Sequence, residues 1–91
     1  AAIRLNPKLA GAYNNRANYY AAQGQSLEAI DDYEMAIDLD PTNIRAWVNQ
    51  GITYRDLEMY EEAIDNFEHA LQIKELLSAN LDDNSALEAH I

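Results

Sequence analysis

The chain has 91 residues, which is enough for one domain with a small core and no more. Sixteen acidic residues against six basic ones give a net charge of −10, and no apolar run could cross a bilayer, so neither nucleic acid nor a membrane is expected as a partner. The absence of cysteine excludes disulfides and thiolate metal sites and suits a reducing compartment, so we expect a cytoplasmic protein.

The first half of the chain predicts two helices. One is expected to begin at Pro7, where Asn6 can act as the N-cap and the missing proline N–H costs nothing. Within it, apolar residues recur three and four apart over Tyr13–Tyr20, as one buried stripe requires. Gly24 interrupts this pattern, and Ser26 can cap the next helix. The side of that second helix predicted to pack in the core consists of Ala29, Ile30, Tyr33, Ala36 and Ile37.

The second half repeats these signals. Asp40 before Pro41 predicts another helix start, and Trp47–Tyr54 carries the apolar stripe again. The core-packing side of the following helix is predicted to consist of Ala63, Ile64, Phe67, Ala70 and Leu71. Because no helix breaker follows, this last helix is expected to extend through Ala79. The polar run Asp82, Asp83 and Asn84 then predicts a turn, and Ser85–Glu88 predicts a capping box that opens a short helix.

The two halves are copies of one pattern. Ala12 matches Ala46 and Tyr20 matches Tyr54, each 34 positions further along. The run Glu28–Asp31 likewise matches Glu62–Asp65. A sequence period of this length indicates stacked helix pairs.

These positions resemble the tetratricopeptide-repeat (TPR) family, whose pattern is Trp-x-x-Leu-Gly-x-x-Tyr, then Ala-x-x-x-Phe, then Pro. The second unit reads Trp47-x-x-Gln50-Gly51-x-x-Tyr54 and Ala63-x-x-x-Phe67. The first reads Tyr13-x-x-Arg16-Ala17-x-x-Tyr20, Ala29-x-x-x-Tyr33 and Pro41. Arg16 and Gln50 stand where the family usually has leucine, so that edge of each helix pair is expected to be wetter than usual.

The resemblance implies an all-α fold, an α-solenoid of antiparallel helix pairs. We divide the chain into residues 1–9, the end of a preceding helix, residues 10–43 and 44–77, two repeats, and residues 78–91, the polar turn and the start of a further helix. Both ends fall within helical patterns, so a piece of a longer protein is expected.

The resemblance also implies a protein-interaction scaffold whose first helices line a concave groove. The groove residues expected to contact a partner are Asn14, Asn15, Asn18, Arg45, Asn49, Ile52 and Arg55. Amides can pair with a peptide backbone and arginine suits carboxylates, whereas most acidic residues fall on the second helices, at the back.

Chaperone-binding members of the family clamp a terminal carboxylate with Asn and basic residues from three successive first helices. Asn18 and Asn49 match the Asn members of that pattern, but Asn14 stands where the clamp has lysine. A carboxylate clamp is therefore one alternative among several for this groove.

Self-assembly is the rival function. About three repeats are normally needed for a stable stack, and this chain has two and a fraction. Apolar residues that would remain uncovered at the two ends are Leu5 and Leu9, and Leu76, Leu77 and Leu81. We therefore expect the chain to self-associate.

Catalysis and metal binding are not expected. The three serines lie at predicted turns or helix ends, and no phosphate-binding loop is present, so we predict neither an enzyme nor a cofactor. His69 follows Asp65 by one helical turn, but two ligands alone rarely hold a metal. Most aromatic residues have core spacing, whereas Tyr19 and Tyr60 are expected at the surface.

Overall fold

A computed structural model of the protein describes the backbone of residues 7–89 and the side chains of residues 9–79. Four helices follow one another in this part of the chain: α1 Pro7–Ala22, α2 Ser26–Leu39, α3 Ile44–Asp56 and α4 Tyr60–Ala89. They form two antiparallel pairs, α1 with α2 and α3 with α4, and α3 also packs on α2. The predicted all-α fold with two helix-pair repeats is confirmed. The predictions for residues 1–6 and for the side chain of Leu81 lie outside the described residues.

Two of the predicted helix starts are wrong in detail. α1 does begin at Pro7, but α3 begins at Ile44 because Asn43 is its N-cap, with a side chain that accepts from the N–H of Ala46 at 3.3 Å. The carboxylate of Asp40 is used instead by the Thr42 hydroxyl, at 2.8 Å, in the turn that precedes the helix. Ser26 is the first helical residue of α2 and not its cap.

Both helix pairs are joined by the same type of turn. Gly24 has a φ of +80°, and Glu58, its equivalent in the second repeat, has a φ of +62°. In the first turn the N–H of Gln25 donates to the carbonyl of Tyr20, and in the second that of Met59 donates to Tyr54, both at 2.8 Å. A left-handed residue here closes the end of the first helix of each pair. Gly24 adopts this conformation without strain, whereas the Glu58 side chain makes it costly.

Helix α4 is the longest element and corrects the prediction for the C-terminal part. It extends past Ala79 as expected, but it also continues through Asp82, Asp83 and Asn84, so the predicted turn is absent. Ser85–Glu88 consequently lies inside α4 and opens no new helix. The physical reason is that Tyr60–Ala89 contains neither glycine nor proline, and Asp and Asn cost only about 0.7 kcal/mol each within a helix.

Small residues form the contacts between the helices of each pair. Ala10, Ala17, Ala29 and Ala36 are fully buried in the first pair, and Ala17 and Ala29 form one core cluster with Tyr33. Gly51 has the same role in the second pair, since its backbone lies directly against Phe67 and Asn66. Close backbone approach is what small side chains at these positions permit.

Two residues predicted on the core-packing side of the last helix are exposed. Ile30 in α2 is 8% exposed, whereas its equivalent Ile64 in α4 is 54% exposed, and Leu71 is exposed as well. α3 covers α2, but no described residue covers the corresponding face of α4. The prediction is therefore wrong for Ile64 and Leu71, because no described helix packs on this face of α4 as α3 packs on α2.

Candidate protein-binding face

The contacts between helices determine which side of the stack is concave. α3 contacts both α1 and α2, whereas α2 and α4 do not contact each other within the described residues. The first helices of the two repeats are therefore closer together than the second helices, and the stack curves toward them. We call the surface formed by α1 and α3 on this side the inner face, and the residues that define it are Asn15, Asn18, Arg45, Asn49, Ile52 and Arg55.

Most predicted groove residues are accessible on the inner face. Asn15, Asn18, Arg45 and Arg55 are exposed. Asn49 and Ile52 are half-buried, and Asn49 contacts Asn18 of α1. These side chains carry amides, two guanidinium groups and a small apolar surface.

Asn14 is the exception among the predicted groove residues, because it is only 8% exposed. It lies four residues after Ala10 and three before Ala17, both fully buried, so it belongs to the helix face that packs inward. Its Oδ1 accepts no hydrogen bond from the described residues. Asn14 cannot contact a partner in this conformation, and its assignment to the open groove is a correction.

Two of the predicted residues contact each other across the repeats. The Oδ1 of Asn18 in α1 accepts a hydrogen bond from Nδ2 of Asn49 in α3, at 3.2 Å. The same oxygen accepts from the hydroxyl of Tyr33 in α2. Three helices thus meet at the Asn18 side chain, which nevertheless remains exposed on the inner face.

Tyr33 and Thr53 are the residues of this network that the sequence analysis did not identify as functional. Tyr33 is 2% exposed, and burial raises the pKa of its hydroxyl, which lies beside Thr53. The buried Thr53 hydroxyl donates to the backbone carbonyl of Asn49 at 2.9 Å. The one available signal was that Tyr33 carries a hydroxyl where the second repeat has Phe67.

Charge is distributed unequally between the two sides of the stack. Arg45 and Arg55 are exposed on the inner face, and among the described residues Arg55 forms one ion pair, with its neighbour Asp56 at 3.6 Å. An exposed pair of this kind contributes little and leaves the guanidinium free to exchange partners. The exposed acidic residues of the second helices are Glu28, Asp31, Glu34, Asp38, Glu61, Glu62, Asp65 and Glu68. The predicted location of the negative charge at the back agrees with the structure.

At both positions where the chain departs from leucine, the side chain pairs with the equivalent residue of the second helix of its own repeat. Arg16 donates two hydrogen bonds to the Asp32 carboxylate, at 2.6 and 2.8 Å, which together with the carboxylate charge raise the pKa of Arg16 further above its usual value. In the second repeat, Gln50 accepts from Nδ2 of Asn66 at 2.7 Å. Asn66 is the equivalent of Asp32, so an ion pair in one repeat is replaced by an amide pair in the other.

The expectation of a wet edge holds for only one of these two residues. The Arg16 side chain is 57% exposed, but Gln50 is 4% exposed. Gln50 is buried because its Nε2 donates to the carbonyl of Ile30 at 3.1 Å and thereby connects the two repeats. Its polar atoms are satisfied inside the joint.

Trp47 and His69 have structural contacts and do not form part of the inner face. Trp47 stacks on the His69 ring at a centroid distance of 4.5 Å and donates from Nε1 to the carbonyl of Pro41. His69 donates from Nδ1 to the backbone carbonyl of Asp65. Within the described part of the chain, no three His, Asp or Glu side chains are grouped as a metal site would require. Tyr19 and Tyr60 are exposed, as predicted.

Comparison with known proteins agrees with this architecture. The tetratricopeptide-repeat profile matches residues 8–76. The chain is 37% identical over 71 residues to the Hsp70-Hsp90 organizing protein of Triticum aestivum, covering 78% of this chain and 12% of that protein. It is 38% identical over 73 residues to the translocon at the outer membrane of chloroplasts 64 of Pisum sativum, covering 80% of this chain and 12% of that one.

The fold also matches a solved structure. The crystal structure of MamA superposes with a TM-score of 0.75 at 31% identity, over 77% of this chain and 41% of that one. No helix in the described part of the chain is long and apolar enough to cross a membrane. The profile match, the relatives and the paired helices agree, and the chain belongs to the tetratricopeptide-repeat family.

Proposed function

We propose that this chain is a protein-binding module that holds an extended segment of a partner on its inner face. The observation that carries the proposal is the contact between Asn18 and Asn49, which places the amide groups of two successive first helices side by side, the first exposed and the second half-buried. Such a row of amides can pair with the backbone of an extended peptide. Family membership supports a binding role over catalysis.

Charge favours a partner segment with acidic groups or a free C-terminus. Arg45 and Arg55 lie at the inner face, and the acidic residues of α2 and α4 lie on the opposite side. An acidic segment would be repelled by the back of the stack and attracted to the arginines. The partner would therefore approach the inner face preferentially.

A chaperone is a specific candidate for the partner. The wheat relative is named as an organiser of Hsp70 and Hsp90, and the chain spans only 12% of its length, so a chaperone partner is an inference from a small shared region. Asn18 and Asn49 fit a carboxylate clamp. The burial of Asn14, where such a clamp has lysine, argues against that particular mode.

Self-association is the second candidate function, and the exposed end face of α4 supports it. An apolar groove of about 280 Å³ there is lined by Ile44, Val48, Phe67, Ala70, Leu71 and Lys74. Ile64, outside this groove but also exposed on α4, corresponds to Ile30, which is buried inside the stack. We expect a second copy to cover this face, and light scattering over a wide concentration range would detect the larger mass. A constant monomer mass would contradict it.

Localisation remains part of the proposal. We keep the expectation of a cytoplasmic protein on the basis of the absence of cysteine. One relative is named for the outer membrane of chloroplasts, so a location beside a membrane is compatible with the family.

The test begins with an array of random-sequence peptides that carry free C-termini, probed with the labelled protein. The strongest binders are then synthesised and titrated against the wild type and an Asn18→Ala, Asn49→Ala, Arg55→Ala variant. A loss of affinity in that variant, with retained helicity, supports the inner face as the site.

A matched variant on the opposite side, Glu28→Gln, Glu34→Gln, Glu61→Gln, controls for nonspecific effects. It should bind as the wild type does, or slightly better, because it only removes negative charge from the back. An array without binders, or equal affinity for the wild type and the inner-face variant, would contradict the proposal. Purified Hsp70 and Hsp90, titrated in the same way, test the chaperone candidate.

A further inference from the structure

The Asn18 side chain is held from the protein side, and this restricts what it can offer to a ligand. Its Oδ1 accepts from both the Tyr33 hydroxyl and Nδ2 of Asn49. A carbonyl oxygen has two lone pairs, so these two donors saturate it. The only groups that Asn18 still presents on the exposed surface are the N–H donors of its own Nδ2.

The direction of the Tyr33 hydrogen bond follows from its partner atom. The Oδ1 of Asn18 is a carbonyl oxygen, which can only accept, so the Tyr33 hydroxyl donates its proton to it. Tyr33 is 2% exposed, and its burial excludes bulk water as a competing acceptor. A buried hydroxyl thus sets the orientation of an exposed amide.

We propose that Tyr33 is a positioning residue that makes Asn18 a dedicated hydrogen-bond donor, so that the inner face selects a ligand carrying an acceptor oxygen at this point. The inference rests on the proposed peptide-binding function and specifies its chemistry. The acceptor is a backbone carbonyl or a terminal carboxylate of the bound segment, since both present the same oxygen geometry to an amide N–H.

Asn49 has the complementary role in the same pair. One of its two Nδ2 protons is used by Asn18, which leaves its Oδ1 as an acceptor at the half-buried joint. A donor at Asn18 beside an acceptor at Asn49 matches the C=O and N–H groups of an extended backbone. Without the Tyr33 hydroxyl, the Asn18 amide could rotate and present either atom.

The chain offers a closely matched variant to test this role. Tyr33→Phe removes only the hydroxyl, and the second repeat already has Phe67 at the equivalent position, so the fold should tolerate it. Tyr54→Phe is the control, because it removes a tyrosine hydroxyl from a half-buried site in α3 outside this network. Asn18→Asp keeps an oxygen for Tyr33 and Asn49 but removes the donor.

The first readout needs no ligand. In 15N-labelled protein, the side-chain amide resonances of Asn18 and Asn49 should shift in Tyr33→Phe and remain in place in Tyr54→Phe. Unchanged Asn18 and Asn49 resonances in Tyr33→Phe would overturn the positioning role.

The second readout is the affinity for a peptide selected from the array, synthesised with a free C-terminus and again as the amide. Tyr33→Phe should weaken binding by about tenfold, the equivalent of one net hydrogen bond, and Asn18→Asp by at least as much. Tyr54→Phe should bind as the wild type does. A loss confined to the free-acid peptide assigns the acceptor as a terminal carboxylate, and a loss with both peptides assigns it as a backbone carbonyl.

Failure of this inference is distinguishable from failure of the proposed function. If Tyr33→Phe binds with wild-type affinity while Asn18→Ala is weakened, the inner face binds peptide but Tyr33 does not position Asn18. If Asn18→Ala and Asn18→Asp both bind normally, the inner-face function itself is wrong.

Discussion

The close packing of Gly51 against α4 allows a stability effect to be predicted with its sign. A Cβ atom at position 51 would lie 2.7 Å from Cε1 of Phe67 and 3.2 Å from Cβ of Asn66. Carbon atoms in good contact are about 3.5 to 4.0 Å apart, so Gly51→Ala forces an overlap of nearly one ångström on Phe67. Asn66 cannot yield easily, because it is buried and hydrogen-bonded to Gln50 and to the carbonyl of Trp47.

Two opposing terms determine the result. Alanine in place of glycine within a helix stabilises by about 1 kcal/mol through the lower entropy of the unfolded chain. Overpacking a filled site costs about 1 to 3 kcal/mol, and the half-buried Phe67 can relieve part of it only by giving up its own packing. We expect Gly51→Ala to lower the free energy of unfolding by about 1 kcal/mol, or Tm by about 4 to 8 °C.

The assay is urea and thermal unfolding followed by helical circular dichroism. Gly11→Ala in α1 is the control, because its Cβ would meet no atom of the described residues within 4 Å, and it should raise stability by about 1 kcal/mol. The double variant Gly51→Ala, Phe67→Leu should lose less free energy of unfolding than the sum of the losses in the two single variants, because the smaller side chain relieves the overlap. Equal stabilisation by Gly51→Ala and Gly11→Ala would refute the packing explanation.

Three further predictions concern stability. Glu58→Gly should raise the free energy of unfolding by about 0.5 to 1 kcal/mol by removing left-handed strain, and a lower urea midpoint would contradict this. Arg16→Gln should lower Tm because it leaves the buried Asp32 carboxylate unpaired, and adding Asp32→Asn should restore Tm by recreating the amide pair of the second repeat. Burial raises the pKa of Tyr33 and Tyr54 above the ordinary value of 10. The stability that these two protonated hydroxyls contribute is therefore complete below pH 10 and is lost as the pH rises further. As the pH is raised from 8 to 11, the urea midpoint should fall less in the Tyr33→Phe, Tyr54→Phe variant than in the wild type.

The sequence predicted those features that depend on local spacing. The apolar stripes predicted the two helix pairs, and the 34-residue period predicted that the pairs stack, as α3 does on α2. The helix start at Ile44 was missed because Asp40–Pro41 and Asn43 are both plausible capping signals. The structure decides between them, because the Asn43 side chain accepts from the N–H of Ala46 whereas the Asp40 carboxylate accepts from the Thr42 hydroxyl.

Contacts between helices were beyond the reach of sequence spacing. Asn14 and Asn18 are both amides on α1, one turn apart, yet one is buried and the other exposed. Gln50 looked like a solvent-facing departure from leucine, but its bond to the carbonyl of Ile30 depends on how α3 crosses α2. The meeting of Tyr33, Asn18 and Asn49 likewise requires three helices in register, which a single sequence does not specify.

The most direct test of the central claim is to locate a bound peptide on the molecule. A peptide selected from the array is titrated into 15N-labelled protein, and the residues whose resonances move are mapped on the four helices. If the inner face binds the peptide, the changes should be concentrated at Asn15, Asn18, Asn49 and Arg55 on α1 and α3. Changes confined to the acidic side of α2 and α4, or to Ile64 and Leu71 at the end face, would contradict it.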